Sequence, residues 1–260
     1  MRGYGELYRT SVVLGARHLR RRGYAREAVI RIVVPLDPSR YVELPWALER
    51  LAPLPGETVL DLASPKLLAV TLARRGAQVT AVDQLSSEVD AWRALAADVP
   101  GVEFVVGDGR SLPYPDTSFD HAASISVLEH VAGEGGDAAA LRELARCVRP
   151  GGRVAITLPY APRSRVEYRK GAAYVDHGER DAAGRAFFQR WYDDDALGAL
   201  QAAVSELELV ERSVTGLRPN LSAAYTRTFP LLVPLGPLFG ALARERQGEG
   251  DVVRLLFRRR

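Results

Sequence analysis

The stretch Glu57–Asp83, ETVLDLASPKLLAVTLARRGAQVTAVD, holds two short apolar runs that each end in aspartate, with a helix-patterned segment between them. Glu57–Ala63 predicts a buried strand. Lys66–Gly76 places apolar residues at helical spacing, with Arg74-Arg75 in the last turn and Gly76 as the stop. Gln78–Asp83 predicts a second buried strand. A strand, a helix of three turns and another strand make a unit that builds a parallel sheet with helices on its faces.

The same alternation continues outward. Ser86–Asp98 predicts a helix with Ser86 as its N-cap, and Pro100-Gly101 punctuates it. Val102–Val106 and Phe119–Ser126 predict strands, Asp137–Val148 a helix, and Arg149-Pro150-Gly151-Gly152 a turn into a fifth strand, Arg153–Leu158. Asp193–Ser205 reads as helix, with Glu206–Val214 and Asp251–Phe257 as closing strands. Residues 1–50 read as a mainly helical cap before a domain at 51–260, with Pro35, Pro38 and Pro45 breaking the cap's end into a loop and a short helix. Residues 160–192, rich in arginine and aromatics, read as an insertion over the sheet's edge on the substrate side.

Composition excludes several classes. The chain has 260 residues, enough for a sizeable core without staples. A lone cysteine, Cys147, rules out a disulfide framework and a cysteine-rich zinc site, and no His/Asp/Glu cluster has metal-ligand spacing, so no metal is expected. No apolar run is long enough to span a membrane, and the first residues lack secretory-signal features, so the expected location is cytoplasmic. The net charge of +3 gathers as arginine at the two ends. Such ends suit nucleic acid, an anionic membrane or an acidic partner, and equally a solvated helix face.

Open parallel sheets take ligands at the carboxyl ends of their strands. Those ends carry Asp61 to Lys66, Asp83-Gln84, Gly107-Asp108-Gly109 and Ser124 to His130. An acid ending the second strand can accept both hydroxyls of a ribose, and an acid between glycines can approach an adenine edge. The first loop, Ala63-Ser64-Pro65-Lys66, has no glycine, so it offers no phosphate cradle. Ser64 suits an N-cap and Pro65 the first helical position, leaving N–H groups for a small anion such as a carboxylate. A nucleoside bearing an amino-acid group and no phosphate fits this rim better than a dinucleotide.

Val59-Leu60-Asp61-Leu62-Ala63, Val79-Thr80-Ala81-Val82-Asp83, Gly107-Asp108-Gly109 with Leu112 to Asp120, Ser126 to Val131 and Leu144 to Arg153 stand in the order and spacing of the signatures of one family. The chain resembles class I S-adenosylmethionine-dependent methyltransferases of the small-molecule type over about residues 55–160 and the closing strands. The resemblance implies a Rossmann-like three-layer α/β sandwich with a mostly parallel seven-stranded sheet and an antiparallel last strand. It implies S-adenosyl-L-methionine as cofactor, with S-adenosyl-L-homocysteine as product. Asp61 and the turn Ala63, Ser64, Pro65 and Lys66 would surround the methionine moiety, Asp83 with Gln84 the ribose, and Gly107, Asp108 and Gly109 the adenine. Backbone atoms near Ser124 and Ser126 would lie close to the sulfonium. Ala63-Ser64-Pro65 departs from the family's usual G-x-G, and a β-carbon at Ala63 would crowd the cofactor if the backbone there needs positive φ. Either the turn is rebuilt around Ser64-Pro65 or cofactor binding is weakened.

Methyl transfer is an in-line displacement in which positioning does much of the work and a base is optional. His130 is the candidate general base, with a structural place at the cofactor's edge as its alternative. Tyr160 and His177 are acceptor-side candidates. Tyr168, Phe187, Phe188, Trp191 and Tyr192 offer stacking faces, although Phe187, Phe188 and Trp191 also fit a helix anchored on the sheet. Lys66 in the first helical turn opposes the helix dipole, which fits a carboxylate partner or solvent. No Asn/Asp/Ser-Pro-Pro-aromatic motif follows the fourth strand, which argues against methylation of nucleic-acid bases, and Cys147 on an apolar helix face suits burial rather than nucleophilic attack.

The expected function is methyl transfer to an oxygen or nitrogen of a small metabolite, with no nucleic-acid partner. One alternative is a repurposed or inactive protein that binds the cofactor or its product. Another is a lipid-like acceptor at a membrane surface, for which Phe229–Leu242 and Arg258-Arg259-Arg260 would serve. Oligomeric state is left open.

Overall fold

The computed structural model describes residues 2–19, 28–29, 31–32, 40–171, 178–216, 244–245 and 252–260. Five parallel strands form the centre: β1 (Thr58–Leu62), β2 (Gln78–Asp83), β3 (Val102–Val106), β4 (Phe119–Ile125) and β5 (Val148–Pro159). With β8 (Leu207–Gly216) and β10 (Val252–Arg259) they make a seven-stranded sheet in the order β3-β2-β1-β4-β5-β10-β8. Only β10 runs against its neighbours, pairing antiparallel with both β5 and β8. A two-residue strand, β9 (Arg244–Glu245), adds to the outer edge of β8. A separate antiparallel ribbon joins β6 (Arg165–Arg169) to β7 (Ala186–Trp191).

Alternation along the strands sends side chains to opposite faces. Val59, Val79, Ala81 and Phe104 enter a core with α1 (Arg2–His18), α2 (Arg40–Leu51), α3 (Leu67–Arg74) and α4 (Ser86–Leu95), which supply Leu7, Leu48, Leu68 and Trp92. Leu60, Leu62 and Val82 enter the other core, with Leu141 and Leu144 from α5 (Gly136–Cys147) and Leu197 from α6 (Asp194–Ala202). Both faces are therefore apolar, and the strands read as nearly continuous hydrophobic runs. The layers are helix, sheet and helix, a Rossmann-like α/β architecture.

Several local expectations change, Pro65 among them, which precedes the helix it was expected to open. Ser64 does not cap α3: the helix starts at Leu67 with Lys66 before it, and the Ser64 hydroxyl instead accepts the Ile125 N–H at 3.0 Å. Ser86 is the first residue of α4, preceded by Leu85 in extended conformation. Pro45 lies inside α2 rather than ending it, and Gly3 of α1 packs closely against it: a β-carbon on Gly3 would stand 3.0 Å from the Pro45 carbonyl oxygen. Residues 149–152 are part of β5, and a register shift opposite Phe119/His121 absorbs them.

Within the 160–192 insertion, Phe187, Phe188 and Trp191 lie on strand β7 and not on a helix. Their spacing suits either period, and a register shift at Glu167/Tyr168 on the partner strand spoils the alternation that marks a strand. The Phe229–Leu242 segment lies outside the described residues.

Candidate functional site

The loops after β1, β2, β3 and β4 converge at the carboxyl end of the sheet on one cavity of about 770 Å³. Its walls are residues 63–67, 83–85, 107–110 and 125–127, with His130, Phe187 and Phe188 on one side and Arg40, Leu44 and Trp92 on another. That volume lies in the range of small-molecule and cofactor sites.

The first loop is held in an uncommon conformation. Ala63 has φ +51, in the left-handed region that a β-carbon disfavours, so the positive φ considered for this position is present. Three contacts fix the turn: Ala63 N–H donates to the Val82 carbonyl at 2.7 Å, Ser64 receives Ile125 N–H, and Lys66 Nζ donates to the Ser64 carbonyl at 3.0 Å. Lys66 is buried and its ammonium also reaches Asp83 Oδ2 at 2.6 Å. The other Asp83 oxygen accepts the Leu85 N–H at 2.9 Å.

Asp61 lies beneath this loop, completely buried, and neither carboxylate oxygen has a hydrogen-bond partner among the described residues. Burial pushes its carboxyl up to about 6, with the Lys66 charge pulling the other way. On the far side, Asp108 is half-exposed and forks with Arg110, whose Nη2 lies 2.7 Å from Oδ2, and that pairing holds the guanidinium above its usual range. Gly107 and Gly109 pack against side chains from β2 and β1: a β-carbon at either would fall under 3 Å from Val82 or Leu62 respectively, whose methyl groups would have to move aside.

Beyond β4 the backbone turns through Ser126 at φ +52. Its hydroxyl donates to Glu43 of α2 at 2.7 Å, and the Thr157 hydroxyl at the end of β5 donates to the same carboxylate oxygen. Arg40 pairs with the other Glu43 oxygen at 2.8 Å. Glu129 is fully buried nearby, one of its oxygens without a hydrogen-bond partner among the described residues, and burial drives its carboxyl up to about 8. His130 lines the cavity, hydrogen-bonds the Phe188 carbonyl through Nδ1 at 2.7 Å and packs edge-on against the Phe188 ring. Its burial lowers the imidazole pKa, which favours the neutral ring.

Of the residues singled out from sequence, Ala63, Ser64, Pro65, Lys66, Asp83, Gln84, Gly107, Asp108, Gly109, Ser126 and His130 line this one cavity. Asp61 and Ser124 are buried below it and are not among its lining residues. Tyr160 is also not among them: it is buried, and its hydroxyl donates to Asp194 at 2.9 Å. His177 lies outside the described residues. Trp191 and Tyr192 border a second, shallower cavity of about 410 Å³. Glu43 and Arg40 were not singled out. Three residues apart on a helix, they look in sequence like an ordinary surface ion pair.

Residues 60–156 match the family described as a methyltransferase domain. A demethylmenaquinone methyltransferase of Clavibacter sepedonicus is 31% identical over 183 residues, covering 64% of this chain and 71% of that protein. The chain belongs to the class I S-adenosylmethionine-dependent methyltransferase family. A second family member, the demethylmenaquinone methyltransferase of Mycobacterium sp. (strain KMS), is 40% identical over 142 residues, 51% of this chain and 54% of that one. The chain thus spans about half the length of several curated relatives it matches. Among solved structures, the Burkholderia thailandensis 1,6-didemethyltoxoflavin-N1-methyltransferase, bound to 1,6-didemethyltoxoflavin and S-adenosylhomocysteine, superimposes with a TM-score of 0.52 at 21% identity. That match covers 97% of this chain and 87% of the other, and it speaks for the methyltransferase fold.

A diol-bearing nucleoside needs a carboxylate with spare acceptor capacity, and each Asp83 oxygen holds a single protein hydrogen bond, from Leu85 or Lys66. A ligand with a positive centre suits a site with a carboxylate close by, and Asp61 is buried beneath Ala63 with both of its oxygens unbonded among the described residues. The residues fit the family's cofactor. Among the described residues, no helix is long and apolar enough to cross a membrane, and no cluster of His, Cys, Asp and Glu side chains is set to hold a metal.

Proposed function

We propose that this protein binds S-adenosylmethionine in the rim cavity and transfers its methyl group to an oxygen or nitrogen of a small-molecule acceptor. The observation that carries the reading is the convergence of four strand-end loops on one cavity, with Asp83 and Asp108 on its wall and Asp61 buried beneath. Asp83 would accept the ribose hydroxyls, Asp108 the adenine amine, and Asp61 would face the amino-acid end. When bound, the cofactor supplies an electrophilic methyl carbon on a sulfonium. The remaining task of the chain is to hold an acceptor in line and keep water out.

His130, Phe187 and Phe188 form the acceptor-side wall. The neutral His130 ring, fixed by the Phe188 carbonyl, can take a proton from an acceptor hydroxyl or amine. Tyr160 would support this wall from behind, through Asp194 and the bridge to Tyr192, rather than touch the acceptor. The relatives named for demethylmenaquinone methylation support a small-molecule acceptor. Residues 1–50 would act as a cap through Arg40 and Leu44.

A second reading, a binder of the cofactor or its product without methyl transfer, draws on Ala63: its β-carbon stands on a loop whose backbone suits glycine. Calorimetry with S-adenosylmethionine and S-adenosylhomocysteine, followed by a turnover assay over phenol, catechol, quinol and amine acceptors, separates the two. Binding with turnover supports the first reading, binding without turnover the second, and no heat with either ligand removes both.

A further inference from the structure

Lys66 occupies a position that neither ribose binding nor methyl transfer by itself explains. Its side chain is 5% exposed, at the start of α3, where the helix dipole disfavours a cation. A buried ammonium is costly unless paired and hydrogen-bonded. Here it has both kinds of partner, the Asp83 carboxylate at 2.6 Å and the Ser64 carbonyl at 3.0 Å.

Two consequences follow from that geometry. The first is mechanical. A non-glycine residue at positive φ persists only where its surroundings over-determine it, and the Lys66 bond to Ser64 O anchors the residue immediately after Ala63 to the end of β2. The second is electrostatic. Asp61 and Asp83 are like charges bearing on one another, and Lys66 is the cation that acts on both. Its bond does not exhaust Asp83: each carboxylate oxygen there holds one protein N–H, from Leu85 or Lys66, and keeps capacity for a hydroxyl. Lys66 therefore complements a diol ligand instead of displacing it.

We infer that Lys66 is a positioning residue of the nucleoside subsite: its ammonium ties the glycine-free first loop to Asp83 and sets a positive charge between the Asp83 and Asp61 carboxylates. The inference rests on the nucleoside reading of the cavity. A compact ammonium with three rotatable donors suits this bridge, where the planar fork of arginine would match it less well.

The test is calorimetric titration of S-adenosylhomocysteine into the full chain from pH 5 to 9, for wild type, Lys66→Met, Lys66→Gln, Lys66→Arg and Asp83→Asn. The charged groups that bear on Asp61 are Lys66 from the start of α3 and Asp83 from β2. Wild-type affinity should fall as pH drops through about 6, where the Asp61 carboxyl takes up its proton. Lys66→Met should bind about tenfold more weakly at pH 7, with the fall-off moved up by about one pH unit. Lys66→Arg should keep the wild-type midpoint. Asp83→Asn removes a like charge, so its midpoint should move down, and Lys66→Gln, which keeps an N–H donor without the charge, should move the midpoint up as Lys66→Met does and decides the matter should Lys66→Met fail to fold. Wild-type affinity in Lys66→Met, or an equal loss at every pH with unmoved midpoints, would overturn the inference while leaving the nucleoside site standing. Absence of binding by wild type itself at every pH would remove the site and the inference together.

Discussion

Ser126, beyond the end of β4, donates its hydroxyl to Glu43 of the N-terminal helix α2 at 2.7 Å, across 83 positions of sequence. Thr157 of β5 bonds the same oxygen, and Arg40 pairs with the other. The helix is thereby seated on the rim of the two strands nearest the acceptor wall, and it brings Arg40 and Leu44 into the cavity. Residues before Glu57 are thus structurally part of the site.

Replacing Glu43 by alanine should destabilise the fold by about 3 kcal/mol, since the buried carboxylate that accepts from Arg40 and from the Ser126 and Thr157 hydroxyls is lost. Glu43→Gln keeps an acceptor oxygen and should cost clearly less. Urea unfolding of the two variants measures both. Equal and negligible losses would show that α2 is not held on the rim by this carboxylate.

At Ala63 the expected change has the opposite sign. An alanine at φ +51 carries a steric cost of order 1–2 kcal/mol that glycine does not. Glycine's greater freedom in the unfolded chain returns part of it. Ala63→Gly should therefore stabilise the protein by about 0.5–1 kcal/mol and should not weaken binding of S-adenosylhomocysteine. A drop in melting temperature would mean that the first loop is not under strain.

The central unit was readable because its signals are local. Two apolar runs closing on Asp61 and Asp83, a helix between them and Gly107-Asp108-Gly109 after the third strand mark strand ends, and strand ends in a parallel sheet share one rim. What escaped is set by contacts across the fold. Glu43 and Arg40 look like a solvated pair until Ser126 and Thr157 are placed over them. The 165–191 ribbon hides its strand alternation behind a register shift, and Phe187, Phe188 and Trp191 fit a helix equally well. Sequence could pose the question of positive φ at Ala63 and of a carboxylate for Lys66, and both answers depend on where β2 and β4 lie relative to the loop.

Asp83 makes a prediction about binding rather than folding. Substituting alanine removes charge-assisted acceptors for the ribose and leaves the buried Lys66 without its carboxylate. Affinity for S-adenosylhomocysteine should fall by about 1.5–3 kcal/mol, read as an increase in Kd by calorimetry. An unchanged Kd would place the ribose elsewhere.

Glu129 links the site to pH through stability. Burial raises its carboxyl from 4.5 to about 8 in the folded protein, so between those values the native state holds a proton that the unfolded chain has released. Stability must then decline as pH rises through that window and level off above it. Asp61 contributes in the same direction over a lower window, from 3.8 to about 6. His121 and His130 act oppositely: burial lowers both, so their contribution is lost as pH falls below the unfolded histidine value. Comparing Glu129→Gln with wild type isolates one group, because glutamine stays neutral at every pH. Melting temperatures measured from pH 5 to 9 should show the variant gaining on wild type steadily up to about pH 8. Parallel curves over that range would mean that Glu129 is ionised in the folded protein, and that a cation or water reaches its unpartnered oxygen.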